Sequence, residues 1–257
     1  MRVSGWMTVA VLCMAAVAPA RAEFTLAGGI EYFSWVEDTS PIGVKENGPL
    51  LAFDIGYTTD QAKGFVFAYR GHFYAGQVDY EGALLFAPSV PVSATTNYVG
   101  AANEAQLRWR VPIERGYRMD ILGGLGLDLW QRQLSADQVE DYTVVYARLG
   151  VEVSSGRALG WLAAGGLKYP LYTREDAHLT DVGFDQNPIL TPGKSVSAFA
   201  RLGYRFTPHW TLIGYYEGYR FSQSNEEPVS IGGVFAGWVS QPASNMNVFG
   251  LSLQYTF

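Results

Sequence analysis

Two short constellations in this chain pair residue types that can move a proton. In Val78-Asp79-Tyr80-Glu81 two carboxylates stand two residues apart, so on an extended chain they share a face. In Asp176-Ala177-His178 an acid stands in the same relation to a histidine. A carboxylate that orients an imidazole, opposite a second carboxylate pair, could activate water for attack on a carbonyl: the histidine acts as base and the pair holds the water. Other chemistry is thinly supplied. The three histidines, His72, His178 and His209, are expected in a strand, a long loop and a short turn, so they do not converge and no metal site is expected. Loop acids such as Asp181 and Asp185 give no ligand pattern for calcium. No serine has a Gly-x-Ser-x-Gly setting, although a Ser–His lipid-modifying barrel would not require one. Nothing calls for a cofactor.

The elements that must position these residues are set by composition and rhythm. Of 257 residues, 48% are hydrophobic, 14% aromatic and 16% charged. An average soluble domain is roughly 25% charged. So much apolar surface excludes a disordered chain. Beyond the N-terminus no stretch approaches the ~18 apolar residues of a spanning helix. A net charge of −6 argues against a nucleic-acid partner. Residues 1–22 read as a cleaved signal peptide: Arg2, an apolar run from Met7 to Val17, then Ala20-Arg21-Ala22 as the cleavage site. The mature chain is then one domain, 23–257. The only cysteine, Cys13, lies in the leader, and Leu12 before it is too large for a lipoprotein site, so the exported chain has no thiol.

From there the chain keeps a period of two. Ala105, Leu107, Trp109 and Val111 alternate with Gln106, Arg108 and Arg110; Val145, Ala147, Leu149, Val151 and Val153 alternate with Tyr146, Arg148, Gly150 and Glu152. Such alternation is a strand with one polar face. A soluble sandwich alternates too, but these segments reach the ~9–11 residues that cross a bilayer at a tilt, and aromatics crowd their ends. Charges also fall in mid-segment on the polar face, where they can line a lumen. The expectation is an all-β fold, a transmembrane antiparallel β-barrel of about ten strands, with eight or twelve less favoured. The strands are placed near 24–36, 48–58, 64–78, 96–112, 117–132, 142–154, 158–171, 195–206, 209–222 and 245–257. In the ninth, Trp210, Leu212 and Tyr216 compete with Ile213, Tyr215 and Tyr219 for the lipid face. Short turns alternate with long loops at 37–48, 78–95, 133–141, 172–194 and 222–243, the pattern of periplasmic turns and extracellular loops.

Ten strands lie near the size at which side chains fill a barrel. The inward acids are read as Glu31, Asp54, Glu104, Asp120, Asp128, Glu152 and Glu217. Facing them are Arg70, Arg108, Arg110, Arg132, Arg148, Lys168, Arg201 and Arg205. Near-balanced signs in a narrow space favour interlocking ion pairs, because an unpaired buried charge costs several kcal/mol. A plug is favoured over a selective pore. At the C-terminus Phe249, Leu251, Leu253, Tyr255 and Phe257 alternate with small and polar residues, and the sequence ends on Phe257. This resembles the terminal signal read by the barrel-assembly machinery.

The two rim motifs, with their places in the strand order, resemble those of the omptins, ten-stranded outer-membrane endopeptidases. Looser likenesses are Asn97-Tyr98 with Asn103-Glu104, Gly203-Tyr204 with Thr207-Pro208, and Tyr255-Thr256-Phe257. The resemblance implies Asp176 and His178 as a dyad and Asp79 and Glu81 as the water-holding pair. Glu81 stands where the family has an Asp, and Arg174 stands where it has an acid for a basic substrate side chain. The chain also resembles a group of outer-membrane barrel domains through Gly76-Gln77-Val78-Asp79-Tyr80-Glu81-Gly82, Lys168-Tyr169-Pro170 with Tyr172-Thr173-Arg174-Glu175, and Tyr219-Arg220-Phe221. That likeness accommodates Arg174 but implies no activity. The favoured expectation is a non-enzymatic outer-membrane protein with a plugged lumen. Its loops would face a surface partner or lipopolysaccharide, and its wall would contact membrane lipid. An omptin-like endopeptidase is the alternative and a narrow small-solute channel the third reading.

Overall fold

The structure, a computed structural model, describes residues 22–84, 87–156 and 159–257. Apart from Ala22, which opens the first strand, the expected leader lies outside the described residues. Alternating residues drive seven long strands in unbroken succession: β1 (Ala22–Glu37), β2 (Val44–Thr59), β3 (Gly64–Leu84), β4 (Ala87–Ile113), β5 (Tyr117–Gln133), β6 (Val139–Ser155) and β7 (Gly160–Asp176). The eighth position in the wall is assembled from three pieces, β8 (Ile189–Leu190), β9 (Gly193–Ser195) and β10 (Ser197–Arg205). β11 (Trp210–Ser222) follows, then a separate hairpin of β12 (Glu227–Ile231) and β13 (Val234–Val239). β14 (Ser244–Thr256) pairs with both β11 and β1 and closes a ten-stranded antiparallel barrel.

Closure sorts every strand into two faces. Leu51 is 70% exposed, Leu149 69%, Leu125 61% and Phe249 57%, whereas their chain neighbours on the opposite parity are covered. The outer band is apolar while the interior is polar and charged, the arrangement of a barrel that meets lipid. In β11 the ambiguity resolves by charge: Glu217 lies inward with Ile213, Tyr215 and Tyr219, leaving Trp210 and Leu212 outside.

Three segments expected as loops carry structure. Most of 78–95 continues β3 and β4 as a tall hairpin of 21- and 27-residue strands, with Glu81 opposite Ser93. Pro91 and its neighbours suggest a loop, but β5 ends opposite Asn97, so β4 is an edge above that point. An edge tolerates the missing N–H. The segment 172–194 extends β7 to Asp176, then adds a short 3₁₀ turn, Leu179–Val182, before β8 and β9. The 222–243 loop contains the β12–β13 hairpin. The rim is therefore high along β3 and β4 and low along β10, β11 and β14, which have 9, 13 and 13 residues.

β7 also carries a bulge. Val145 pairs with Tyr172 while Tyr146 pairs with Pro170, leaving Leu171 as the extra residue. Its carbonyl accepts a hydrogen bond from Lys194 Nζ at 2.6 Å. One extra residue exchanges the faces. Below it Lys168 points inward; above it Thr173 and Glu175 do, and Arg174 and Asp176 turn outward.

Candidate functional site

The lumen is crossed at mid-height by a bonded set of side chains from several strands. Glu217 of β11 accepts Arg148 Nη2 at 2.7 Å and Lys168 Nζ at 3.3 Å, with Arg70 Nη1 at 3.5 Å. Arg148 Nε lies 2.9 Å from Glu104, and Arg70 Nε bonds Asp54 at 2.7 Å. His72 has Nδ1 3.1 Å from Asp54 and Nε2 3.1 Å from Glu31. Carboxylate oxygens only accept, so an imidazole that serves both donates from both nitrogens and is charged. Tyrosines complete the set: Tyr215 donates to Glu31 at 2.6 Å, Tyr146 to Glu104 at 2.8 Å and Tyr219 to Asp128 at 3.0 Å. Lys168 Nζ sits 3.6 Å from the centroid of Tyr219, a cation over a ring face. Two glycines make room. A Cβ on Gly100 or Gly126 would lie 2.7 Å from a ring carbon of Tyr74 or Tyr146 respectively. Between these groups remains a cavity of about 50 Å³.

Toward the loops, Arg132 is enclosed by carboxylates. Its guanidinium bonds Glu37 at 2.9 Å, Glu46 at 2.9 Å and Glu140 at 2.8 Å. Glu46 also accepts from Thr96 and Tyr98, Glu37 from Trp35 Nε1, and Glu140 from Tyr142. Glu175 is 2% exposed. Trp35, Tyr98, Trp130, Tyr142 and Phe221 pack around this layer, with Trp130 and Tyr142 stacked at 4.8 Å. These four glutamates were not among the residues read as lumen-facing. Three fall where strands run further than expected, and Glu175 faces inward only because of the Leu171 bulge.

Toward the short turns, Arg110 forms a two-bond fork with Asp120 at 2.7 and 2.8 Å, and Arg108 lies 3.3 Å from Glu152. Arg201 and Arg205 share the inward parity of β10. Phe249, Leu251 and Leu253 form the outward row of β14, and the ring of Phe257, one residue past the strand, packs on Phe24 and Tyr255.

The rim motifs do not assemble as the omptin resemblance implies. His178 has its hydrogen-bond partner in Asp141 of β6, at 2.9 Å; Asp176 is 3.9 Å away and is held by Arg174 at 2.9 Å. Asp141 also accepts from Gln131 at 3.0 Å. Gln131, Asp141 and Asp176 all lie on the outward parity, so this cluster sits on the outside of the wall. Asp79 and Glu81 are exposed on the outward parity of β3, four strand positions from β7. At ~4.8 Å per strand that is roughly 19 Å around the wall. No water can be shared by the two pairs. The facing arrangement that the omptin-like alternative requires is therefore not formed: parity sends both carboxylates away from the mouth, and the bulge in β7 does the same to Asp176.

Above the low side of the rim the loops pack on one another. Ala177, Leu179 and Val229 form a small core with Val182, Phe184 and Val239. Asp185 caps the β12–β13 turn, accepting Gly232 N at 2.9 Å and Gly233 N at 2.8 Å. The Gly233 N–H and the Ser230 hydroxyl hold its carboxyl below the usual aspartate range. The turn so fixed displays Val234 at 70%, Phe235 at 60% and Trp238 at 63% exposure.

No family model matches the chain, and no curated protein matches it in sequence. Solved structures do match in shape. The outer membrane protease OmpT from Escherichia coli superposes with a TM-score of 0.55 at 10% identity, over 95% of this chain and 99% of that one. The transport unit of the autotransporter AIDA-I from Escherichia coli gives 0.47 at 10% identity, covering 96% and 93%. The outer membrane protein OprG from Pseudomonas aeruginosa gives 0.40 at 12%, covering 92% and 96%. The fold is that of outer-membrane β-barrels. At 10% identity the likeness to the protease concerns fold and not activity.

Proposed function

We propose that this protein is a non-conducting, non-enzymatic barrel of the bacterial outer membrane that acts through its loop surface. It reaches that membrane behind a cleaved signal peptide and is inserted with the help of its terminal aromatic row. One observation carries the reading: Glu217 ties Arg70, Arg148 and Lys168, from three other strands, across the middle of the lumen. A solute must break those pairs in a low-dielectric space, which costs several kcal/mol. Proteolysis, the activity of the Escherichia coli neighbour, is not supported, because the rim carboxylates and His178 lie apart on the outer wall.

What remains for interaction is the loop layer, with the Val234, Phe235 and Trp238 tip set on a packed base. Contiguous apolar groups displayed to solvent mark an interaction surface. Lipopolysaccharide and surface proteins are the accessible partners. Reconstitution in planar bilayers tests the central part: no single-channel steps are expected, and steady ohmic conductance would remove the reading. Digestion of a peptide library by the purified barrel is expected to give no cleavage; cleavage lost on Asp176→Ala would restore the protease.

A further inference from the structure

We propose that the vestibule at the short-turn end of the barrel is a binding site for a compact oxyanion with two or more negative charges, of the phosphate type. A cavity of about 140 Å³ opens there, on the opposite side of the Glu217 crossing from the loops. A water needs roughly 10–15 Å³ of such space, so the vestibule holds several waters or one small anion.

Six arginines line it: Arg70, Arg108, Arg110, Arg118, Arg201 and Arg205. Three are neutralised, Arg70 by Asp54 and Glu217, Arg108 by Glu152, and Arg110 by Asp120. The other three are not. Among the described residues Arg118 has only the Ser154 hydroxyl, at 3.0 Å. Arg201 and Arg205 have no carboxylate within 4.0 Å among the described residues, and the Arg201 Nε is buried without an acceptor. Of the lining carboxylates, Asp54 and Glu152 are already engaged. Glu23 can offset one charge, which leaves two positive charges unmatched around a space open to small solutes.

Guanidinium groups present a planar fork that matches phosphate and carboxylate oxygens, and unmatched ones in a recess are an anion site by charge and by geometry. The mid-barrel crossing contrasts with this, since its cations are shared among carboxylates and leave no such surplus. Phosphate chemistry could be supplied by a free anion or by the headgroup of an inner-leaflet phospholipid.

The test is titration calorimetry on the full barrel refolded in a maltoside detergent free of phospholipid. The titrants are inorganic phosphate and pyrophosphate, with sodium chloride at matched ionic strength as control. Saturable heat is expected for the oxyanions and none for chloride, with affinity at least tenfold weaker in the Arg201→Gln, Arg205→Gln double variant. Heat-modifiable migration on gels verifies that the variant is folded. Should it fail to fold, Arg118→Gln, whose arginine holds only one hydroxyl, is expected to weaken binding at least threefold. A second arm repeats the titration in phosphatidylglycerol nanodiscs. Retained binding identifies a free anion; binding present in detergent and lost in nanodiscs identifies headgroup phosphate on the same arginines. Heat equal to the chloride control, or equal affinity in wild type and folded variants, overturns the proposal.

Discussion

Glu217 concentrates the internal electrostatics of this barrel in one side chain. Its carboxylate is shared by Arg70, Arg148 and Lys168, and neutralising it leaves Arg70 with Asp54 alone, Arg148 with Glu104 alone and Lys168 with no carboxylate in contact among the described residues. Breaking a buried pair by removing one partner costs about 3–5 kcal/mol, because the uncompensated charge stays buried. Glu217→Gln keeps the shape and removes the charge. Urea unfolding from lipid vesicles is expected to show destabilisation of that order, and a loss under 1 kcal/mol would show the crossing to be slack. The charges of this layer were legible in the sequence because they fall on the polar parity of strands whose other parity is plainly apolar. Glu37, Glu46 and Glu140 were not. They stand at strand ends, where apolar alternation fades and a charged residue reads equally well as loop. Glu175 was hidden for another reason: a single extra residue, Leu171, changes which parity faces in.

That bulge sets the parity of β7 in the upper lumen. Deleting Leu171 restores regular pairing and keeps Thr173 and Glu175 inward, because Tyr172 then follows Pro170 as its outward neighbour. Arg174 stays outward, away from the layer of Arg132, which already has its own carboxylates. The deletion is expected to leave both halves folded, with limited trypsin digestion sparing 172–194 as in wild type; a new cut there would show that the upper lumen needs the bulge itself and not only the parity it sets. The β12–β13 hairpin makes a second element-scale prediction. Asp185 titrates below its usual ~3.9 because Gly233, Ser230 and Gly232 bond its charged form. A lowered carboxyl value means that its contribution is present above about pH 4 and is lost as the pH falls through the folded value. Amide exchange at Gly232 and Gly233, corrected for intrinsic pH dependence, is therefore expected to quicken as the pH is lowered through the folded value of Asp185, and in Asp185→Asn already at pH 7. Both hairpins of the loop layer escaped the sequence reading because turn-forming residues in them look like breaks, although the strands on either side keep their alternation.

At the scale of the whole molecule, the sign of the environment outside the wall decides what every outward side chain is worth. Leu149, 69% exposed in the middle of β6, gains nothing from water but is at home in hydrocarbon. In a barrel spanning a bilayer, Arg at such a depth costs about 2–4 kcal/mol, and near the interface about 0–1. A water-facing wall gives the opposite order, since Leu149→Arg on a solvated strand is near neutral or favourable for solubility. The pair Leu149→Arg and Tyr172→Arg, the second near the loop end of β7, separates the two cases without reference to any activity. Equilibrium unfolding from phosphatidylcholine vesicles is expected to show the full cost at Leu149 and little at Tyr172. Equal small effects at both positions would mean that no lipid touches the wall, and the inside-out sorting of apolar and charged residues that organises this fold would need another cause.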